Sequence, residues 1–306
     1  MDLSLIIPES RSGHRLDQVV AAESESLSRS RAASLISRGL IRVDGKQKRP
    51  GYRVRIGETV SGPIESPDDP PFPVPEHIPL SVLHEDSHIL VVDKPAGLVV
   101  HPGPGHTGGT LVNALLAHTP VFKDRCWDPF RPGIVHRLDR ETSGVILIAK
   151  SPSSLEFLQK EFKQRRVEKR YLALAQGRHI PDNGIIELPI GRHPKDRKRM
   201  AVLPHGGKDA KTGFSVRRRF KDGALVDVRL YTGRTHQIRV HFYDQGMPLF
   251  GDRVYQARRF RRGGSPAPRQ MLHAWRLSVR HPYSGRRVTF EAPVPEDFHQ
   301  IMRHLE

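Results

Sequence analysis

The sequence predicts an α+β fold, with a mixed and largely antiparallel sheet preceded by a small basic α/β unit. From about residue 80 onward, strand and helix patterns alternate irregularly, with many turn residues between them, which favours this class over repeated βαβ units. Seven prolines lie between residues 62 and 79, a density typical of an extended linker. These observations divide the chain into a basic domain over residues 1–61, a proline-rich linker over 62–79 and a larger domain over 80–306.

Two helices and a hairpin are predicted in the basic domain. Ser28 is a suitable helix N-cap, Gly39 closes a last helical turn, and Asp44-Gly45 is a strong hairpin turn pair. The patterns predict helices over 15–21 and 28–38 and strands over 41–43 and 53–55.

Periodicity also predicts the elements of the larger domain. Apolar runs and period-two alternation are typical of strands, whereas apolar residues three or four positions apart are typical of helices. The predicted strands cover residues 89–92, 145–149, 167–175 and 224–230, and the predicted helices cover 111–118 and 155–162.

Composition limits the partners and the compartment. Fifty Lys and Arg against 33 Asp and Glu give a net charge of +17, which indicates a polyanionic partner, either nucleic acid or an acidic membrane surface. No apolar run approaches the roughly 20 residues that span a bilayer, and residues 1–9 lack the pattern of a signal peptide. The lone Cys126 excludes an internal disulfide and a multi-cysteine zinc site. We therefore expect a cytoplasmic protein that binds nucleic acid.

One polar stretch, residues 136–144 (HRLDRETSG), stands directly before the apolar run at 145–149. It places Asp139 between Arg137 and Arg140, and a nearby arginine favours the ionised form of an aspartate. A loop at the end of a buried strand is also a frequent place for a reactive group. Taken alone, however, such a cluster is more often a solvated ion pair.

A second dense cluster covers residues 231–242 (YTGRTHQIRVHF). The preceding strand runs into a Thr-Gly turn, after which Thr235 is predicted to cap a helix. Arg234 then lies at the junction of strand and helix. His236 and His241 are five residues apart, a spacing that does not place two metal ligands on one helical face.

Tyr171 lies on the predicted strand 167–175, where it shares a face with Lys169. The alternative interpretation is a tyrosine at the edge of the core with its hydroxyl in water. The glycine pairs of the chain match no phosphate-loop spacing, so that the sequence gives no support for a nucleotide cofactor.

Runs of basic residues leave two interpretations open. Residues 256–269 place four arginines around Phe260, which is typical either of a flexible insertion or of a phosphate clamp with a stacking aromatic. The runs 195–199 and 217–219 have the same two interpretations. The four arginines are Arg258, Arg259, Arg261 and Arg262.

Four segments of the chain form a recognisable set. They are 93–103 (DKPAGLVVHPG), 136–144 (HRLDRETSG), 233–241 (GRTHQIRVH) and Gly251-Asp252. In this order and spacing they resemble the RluA family of RNA pseudouridine synthases, and the first 60 residues are similar to the S4-like RNA-binding domain that many members have in front. The resemblance covers nearly the whole chain and implies the pseudouridine-synthase fold for residues 80–306.

The resemblance implies roles for three residues. Asp139 matches the catalytic aspartate, Tyr171 matches the tyrosine that stacks on the target base, and Arg234 matches the basic residue that pairs with the aspartate. It also implies an isomerase without a cofactor or a metal. The chain departs from the family pattern at Tyr231, where a glutamate is frequent, and at Gln256, where the pattern has glycine.

The reaction fits these residue types. The bond between the uracil nitrogen and ribose breaks, the base turns, and a carbon of the base rejoins the sugar without any redox step. A carboxylate can act as a nucleophile at the sugar or as a base that removes a sugar proton, and the sequence leaves both routes open. The target base must leave its stack, and an aromatic such as Tyr171 can stack on it there.

We expect a monomeric synthase that modifies structured RNA, with large-subunit (23S) ribosomal RNA as its substrate and no membrane partner. The alternatives are a transfer-RNA pseudouridine synthase, a non-catalytic RNA-binding or ribosome-assembly factor of the same fold, and a hydrolytic glycosidase. The last would need a second carboxylate, for which Glu141 is a weak candidate. The residues predicted to contact RNA are Arg29, Arg31, Arg38, Lys46, His136, Arg137, Arg140, Thr235, His236, Arg258, Arg259, Arg261 and Arg262.

Overall fold

The chain forms two compact units. The computed structural model describes residues 2–23, 27, 29–64, 73–103, 108–123, 127–128, 130–196, 199–256 and 267–306. The first unit comprises residues 1–74 and 122–132, and the second comprises 75–121 and 133–306. Segment 122–132 therefore groups with the first unit although both of its sequence neighbours belong to the second.

The described residues of the first unit form a three-stranded antiparallel sheet, two α-helices and a short 3-10 helix at Glu9–Arg11. Its elements are β1 (Asp2–Ile6), α1 (Leu16–Ala22), α2 (Arg29–Ser37), β2 (Arg42–Val43) and β3 (Thr59–Pro63), with strand order β1-β3-β2. Helical spacing places Leu16, Val19 and Val20 together in α1, and they share one buried core with Leu35 and Ile36 of α2. Both predicted helices are confirmed, while the proposed cap Ser28 lies outside the described residues.

The predicted strand pairing in this unit is wrong. Asp44 and Gly45 do form a two-residue turn, with positive φ angles of 49° and 72°. Residues 53–55, however, contribute one isolated bridge at Arg53, and β2 pairs with β3 instead. The reason is that β3 is paired on both sides, to β1 and to β2, which satisfies more backbone groups than a short run with one buried side chain, Val54. The strand β3 thus includes the first two residues of the predicted linker.

The second unit is built on a nine-stranded sheet in the order β4-β5-β6-β13-β7-β12-β11-β8, with β14 paired to β13. Its strands are β4 (Ser81–Glu85), β5 (Ile89–Lys94), β6 (Ser143–Ala149), β7 (Glu168–Gln176), β8 (Asn183–Glu187), β11 (Lys211–Phe220), β12 (Gly223–Leu230), β13 (Leu272–Arg280) and β14 (Arg287–Glu291). A separate hairpin is formed by β9 (Ile190–Arg192) and β10 (Met200–Val202). Among the described strands of this sheet the pairs are antiparallel except β6 with β13. The predicted class, a mixed and largely antiparallel α+β sheet, is confirmed.

In the part of the chain that the structure describes, four α-helices accompany this sheet, namely α3 (Leu111–His118), α4 (Pro152–Lys163), α5 (Gln237–Asp244) and α6 (Glu296–Leu305). Thr110 and Asn113 form a capping box at the start of α3, and Ser151 caps α4 ahead of a proline in its first turn. The predicted helices and strands of the larger domain are all confirmed within a few residues at their ends. Within the described ranges, no helix has the length and apolar character needed to cross a membrane.

The two faces of β7 have different surroundings. Leu172 and Leu174 pack in one buried cluster with Phe298 of α6. Because side chains alternate along a strand, Lys169 and Tyr171 project from the opposite face. This alternation places them in the cleft that Asp139 also lines.

Candidate active site

The loop over residues 136–144 leads into β6, whose seven residues are all buried. At its end, Gly144 has a φ of 113°, and a Cβ there would lie 2.3 Å from the carbonyl oxygen of Ala274 on β13. A glycine is therefore required where these two strands meet. Leu138 is buried, whereas the side chain of Asp139 remains 20% exposed. The loop thus anchors one side chain in the core and turns the adjacent carboxylate toward solvent.

A buried lysine fixes the middle of this loop. The Lys94 ammonium donates hydrogen bonds to the carbonyl oxygens of Pro95 (2.7 Å), Leu98 (2.9 Å) and Arg140 (3.1 Å). Burial lowers the pKa of Lys94 to about 7. Since all three ammonium hydrogens have carbonyl acceptors, the charged form is nevertheless well solvated by the protein itself.

A buried arginine fixes the end of the loop. Arg269 donates to the carbonyl oxygen of Glu141 at 2.9 Å and to Oγ of Ser143 at 3.1 Å. Its charge is paired with Asp297 of α6 through two hydrogen bonds of 2.7 and 3.0 Å. The C-terminal helix therefore contributes to the position of the loop through one fully bonded guanidinium group.

Asp139 forms an ion pair with Arg239 from the first turn of α5. Arg239 Nη1 donates to Asp139 Oδ2 at 2.9 Å, while its Nε and Nη2 bind both oxygens of the fully buried Asp252 at 2.7 and 3.0 Å. Burial by itself would raise the pKa of Asp252, but the hydrogen bond and charge of Arg239 lower it. Asp252 therefore orients Arg239, and Arg239 in turn orients the Asp139 carboxylate.

The predicted contact between Asp139 and Arg234 is wrong. Both residues line the same cleft, but in the described part of the chain they form no ion pair, and Arg234 Nε donates to the carbonyl oxygen of Asp209 at 2.9 Å. The cause is the start of α5, which begins at Gln237. Arg239 lies on the buried side of its first turn, whereas Arg234 precedes the helix.

The turn before α5 is organised by a buried glutamine. Gln237 Oε1 accepts hydrogen bonds from the backbone N–H of Arg234 (3.0 Å) and the hydroxyl of Thr232 (2.8 Å). The N-cap is His236, in the left-handed conformation at φ 58° and without a side-chain cap bond. The prediction that Thr235 caps this helix is therefore wrong, because Gln237 satisfies the turn from inside the helix.

His236 lies beside the Asp139 carboxylate. Its Nδ1 is hydrogen-bonded to the hydroxyl of Tyr255 at 2.9 Å, and its Nε2 is 3.8 Å from Asp139 Oδ2. Burial lowers the pKa of His236 despite the nearby carboxylate charge. His241, five residues further on, is bonded to Thr212 and to the carbonyl of Leu188 instead, so the two imidazoles have separate partners.

Tyr171 and Lys169 provide one wall of the cleft. Tyr171 is buried, and burial together with the charge of Asp139 raises the pKa of its phenol, which keeps it neutral. Burial lowers the pKa of Lys169 to about 8. Neither side chain has a hydrogen-bond partner or an ion pair within the described ranges, so both polar groups are available to a ligand.

His136 connects the start of the loop to β6 and α4. The backbone N–H of Leu147 on β6 donates to its Nε2 at 3.0 Å, and its ring stacks on Phe162 of α4 with the centroids 4.9 Å apart. Burial lowers the pKa of His136 to about 3, so the imidazole is neutral near pH 7. One ring nitrogen is thus committed to the backbone of the strand.

These groups line a cleft of about 530 Å³. It contains the three residues predicted to act in catalysis, Asp139, Tyr171 and Arg234, together with Arg239. Of the residues predicted to contact RNA, the cleft also contains His136, Arg137, Thr235 and His236. Arg140 is not among its lining residues and donates to the carbonyl oxygen of Gly97 at 3.1 Å.

The predicted RNA contacts of the basic domain lie on α2 and on nearby turns. Arg29 is paired with Asp17, and Arg31 donates to the carbonyl oxygen of Ile64. Arg38 and Lys46 are exposed. The predicted contacts Arg258, Arg259, Arg261 and Arg262 lie outside the described residues.

Comparison with known proteins identifies the family. Residues 88–244 match the family model for RNA pseudouridylate synthase, and residues 14–60 match that for the S4 domain. Ribosomal large subunit pseudouridine synthase D of Nitrosomonas europaea is 40% identical over 311 residues, covering 99% of this chain and 88% of that protein. The chain belongs to the RNA pseudouridine synthase family.

Further pseudouridine synthases are similar along more than nine-tenths of their length. The protein of the same name from Xanthomonas campestris is 41% identical, covering 98% of this chain and 91% of that protein. An uncharacterized RNA pseudouridine synthase of Chloroflexus aurantiacus is 44% identical, covering 99% of this chain and 93% of that protein. The solved structure of human RNA pseudouridylate synthase domain containing 1 is 25% identical, with a TM-score of 0.58 over 75% of this chain and 96% of that chain. The predicted family and the predicted class of enzyme, an isomerase, are confirmed.

Sequence reasoning missed several residues that build the site of this pseudouridine synthase. Lys94 and Arg239 both lie inside motifs that carry the family resemblance, but a motif does not reveal which of its basic side chains is buried. Lys169 could have been found, because it shares a strand face with Tyr171. No sequence pattern indicated a role for Arg269, because its contacts with Glu141 and Ser143 span more than 120 residues of sequence.

Proposed function

We propose that this pseudouridine synthase modifies uridine in structured large-subunit ribosomal RNA, with Asp139 as its catalytic carboxylate. The substrate is supported by relatives about 40% identical whose names specify the large ribosomal subunit, and by the net charge of +17. We also propose that residues 1–61 are an RNA-binding domain, that 62–79 link it to a catalytic domain over 80–306, and that the enzyme is a cytoplasmic monomer.

The observation that supports this role of Asp139 is its ion pair with Arg239 in a cleft shared with Tyr171. Arg239 is charged at any physiological pH and orients the carboxylate. In the proposed reaction the N1–C1′ bond of uridine breaks, the C5–C1′ bond forms, and the proton lost from C5 is balanced by one gained at N1. Asp139 acts either as the nucleophile at C1′ or as the base that removes a sugar proton.

Two further features support access of the target base to this carboxylate. A uridine inside a helix does not expose its glycosidic bond, so we propose that it is extruded into the cleft and stacks on Tyr171. A neutral phenol suits this role, because it presents an aromatic face without a charge. Lys169, His236 and Arg234 lie around the same space and supply hydrogen-bond donors for the base and the backbone of the RNA.

The test compares Asp139→Asn with Glu141→Gln on large-subunit ribosomal RNA and on transfer RNA labelled with tritium at uracil C5. Isomerisation releases that tritium, so product formation is measured directly. We expect Asp139→Asn to lose activity by at least about a thousandfold while its Kd for RNA changes less than threefold. Glu141 lies in the same loop but outside the cleft lining, and Glu141→Gln is expected to react at the wild-type rate.

Each alternative has its own outcome in this experiment. Full turnover by Asp139→Asn would exclude the proposed role of this residue. Release from transfer RNA alone would change the substrate, and no release from any RNA would favour a non-catalytic binding factor. Equal losses in both variants would favour a mechanism with two carboxylates.

A further inference from the structure

Tyr231 directly follows β12, at a position where this chain departs from the family pattern. It lines the cleft that contains Asp139 and Tyr171, and it also lines a neighbouring groove of about 310 Å³ on β7, β8, β11 and β12. Tyr231 therefore contributes to the lining of both depressions.

The ring of Tyr231 is seated on the backbone of β11. Its backbone N–H donates to the carbonyl oxygen of Lys211 at 3.2 Å, which places Gly213 diagonally across the strand pair. A Cβ on Gly213 would lie 3.2 Å from Cε2 of the tyrosine ring. The absence of a side chain at Gly213 therefore leaves the space that the ring fills.

Two cations flank this ring. The guanidinium carbon of Arg229 is 4.9 Å from the ring centroid, and the ammonium nitrogen of Lys211 is 5.7 Å from it. Both distances are within the range of cation–π attraction. Arg229 is exposed and forms no hydrogen bond or ion pair with any described residue, and its charge is one of those that lower the pKa of Glu168. Lys211 has one exposed pair, with Glu187 at 3.1 Å. An exposed pair of this kind is weak and easily replaced by another anion.

The neighbouring cations of the same sheet face are different. Arg170 and Arg217 both pair with the buried Asp227. Their charges are compensated within the protein. Compared with these two described arginines, the cations beside Tyr231 are therefore less compensated by the protein.

We infer that Tyr231, Arg229 and Lys211 form a subsite for a nucleotide that flanks the target uridine in the RNA. The aromatic ring and the planar guanidinium group stack on its base, and the two cations neutralise its phosphate. The inference rests on the proposed function, since it extends the same substrate from one cleft into the next groove. Tyr231 is then a residue that determines site selection, in addition to the residues that perform the chemistry.

The test uses a stem-loop RNA cut from large-subunit ribosomal RNA around the uridine that the wild-type enzyme modifies. The nucleotides on either side of the target are replaced one at a time by 2-aminopurine, whose fluorescence falls on stacking, or by an abasic residue. The variants are Tyr231→Leu, Tyr231→Phe and Arg229→Gln. The control is Tyr283→Leu, which removes a 78% exposed tyrosine that lines neither depression.

We expect Tyr231→Leu to raise KM and Kd about tenfold, as for the loss of one stacked base, with kcat within twofold of wild type. It should also remove the fluorescence quenching at one flanking position. Tyr231→Phe should have the wild-type KM and Kd and the wild-type fluorescence quenching. Arg229→Gln should reduce the slope of log Kd against log salt by about one. Tyr283→Leu should behave as wild type in each measurement.

The abasic RNA separates stacking from a general loss of structure. On RNA without the stacked base, wild type and Tyr231→Leu should have the same KM. A tenfold difference that persists there, or a wild-type KM for Tyr231→Leu on intact RNA, would overturn the subsite. Failure of the wild-type enzyme to form pseudouridine would instead overturn the proposed function, and the subsite with it.

Discussion

The loop of residues 136–144 and the turn of residues 231–236 line one cleft, but they are fixed in different ways. Buried cations, Lys94 and Arg269, bind carbonyl oxygens of the loop. The turn is organised by an uncharged side chain, Gln237. The loop therefore has the stiffer and more costly support, which suits the catalytic role proposed for Asp139.

The functional side chains of the two segments also differ in how firmly they are held. Asp139 is bound by a guanidinium group that is itself bound by a buried carboxylate. Tyr231 and Arg234 are partly exposed, and among the described residues the side chain of Arg234 has one hydrogen bond, to a backbone carbonyl. Because the loop and the turn are supported separately, substitutions in the turn can alter RNA recognition without displacing the carboxylate of the loop. Four predictions test this separation.

The largest effect is expected from Arg239→Gln compared with Arg234→Gln. Loss of Arg239 leaves the fully buried Asp252 without its cation, so we expect a stability loss of about 3–5 kcal/mol and at least a hundredfold lower kcat. Arg234→Gln should change stability by less than about 0.5 kcal/mol and should mainly raise KM. Urea unfolding and steady-state kinetics measure both effects. Equal losses of stability and of kcat in the two variants would show that Arg239 and Arg234 do not differ in how they support the site.

A smaller effect is expected from Lys94→Met. The change removes three charged hydrogen bonds, and the loop carbonyl of Arg140 loses one of its donors. We expect a loss of about 2–4 kcal/mol in urea unfolding and a lower kcat, because the loop loses its fixed geometry. The matched control is Lys160→Met on the exposed face of α4, with a change below about 0.5 kcal/mol. A Lys94→Met enzyme with wild-type kcat would show that the loop does not need this support.

Acid should weaken the same region. Burial lowers the pKa of His136 to about 3 and that of His273, which is bonded to Ser143, to about 4. Between pH 6.5 and 4 the unfolded chain therefore binds protons that the folded chain does not, so stability falls as the pH falls. We expect a loss of about 1 kcal/mol per pH unit for each histidine. Unfolding at pH 7 and pH 5 should show a smaller difference for His273→Gln than for wild type, and an unchanged difference would contradict the assignment.

The smallest effect is expected from Arg137→Gln compared with Arg140→Gln. Both arginines flank Asp139 and are exposed, but only Arg137 of the two lines the cleft. We expect Arg137→Gln to weaken RNA binding about three- to tenfold and to reduce the salt slope by about one. Arg140→Gln should leave Kd within twofold. Filter binding at several salt concentrations measures both, and a stronger effect of Arg140→Gln would place the RNA on the other side of the loop.

Local pattern was sufficient for most of the fold. The predicted helices formed, as did the larger domain's strands, because their apolar residues recur at the period of the element that buries them. Pairing was less predictable: residues 53–55 have a strand pattern, but β3 occupies the position between β1 and β2. Which strand pairs with which depends on backbone groups far apart in sequence, and periodicity contains no information about them.

The sequence by itself determined the family, the class of reaction and the chain segments that line the cleft, because motifs preserve residue types and spacing. The tertiary structure decided which arginine meets Asp139. Arg234 and Arg239 belong to one motif, and the start of α5 at Gln237 turns the second of them inward. It also decided that Lys94 and Arg269 support the loop. A buried cation must be hydrogen-bonded by groups that lie near it in space, and these groups can be far away in the sequence.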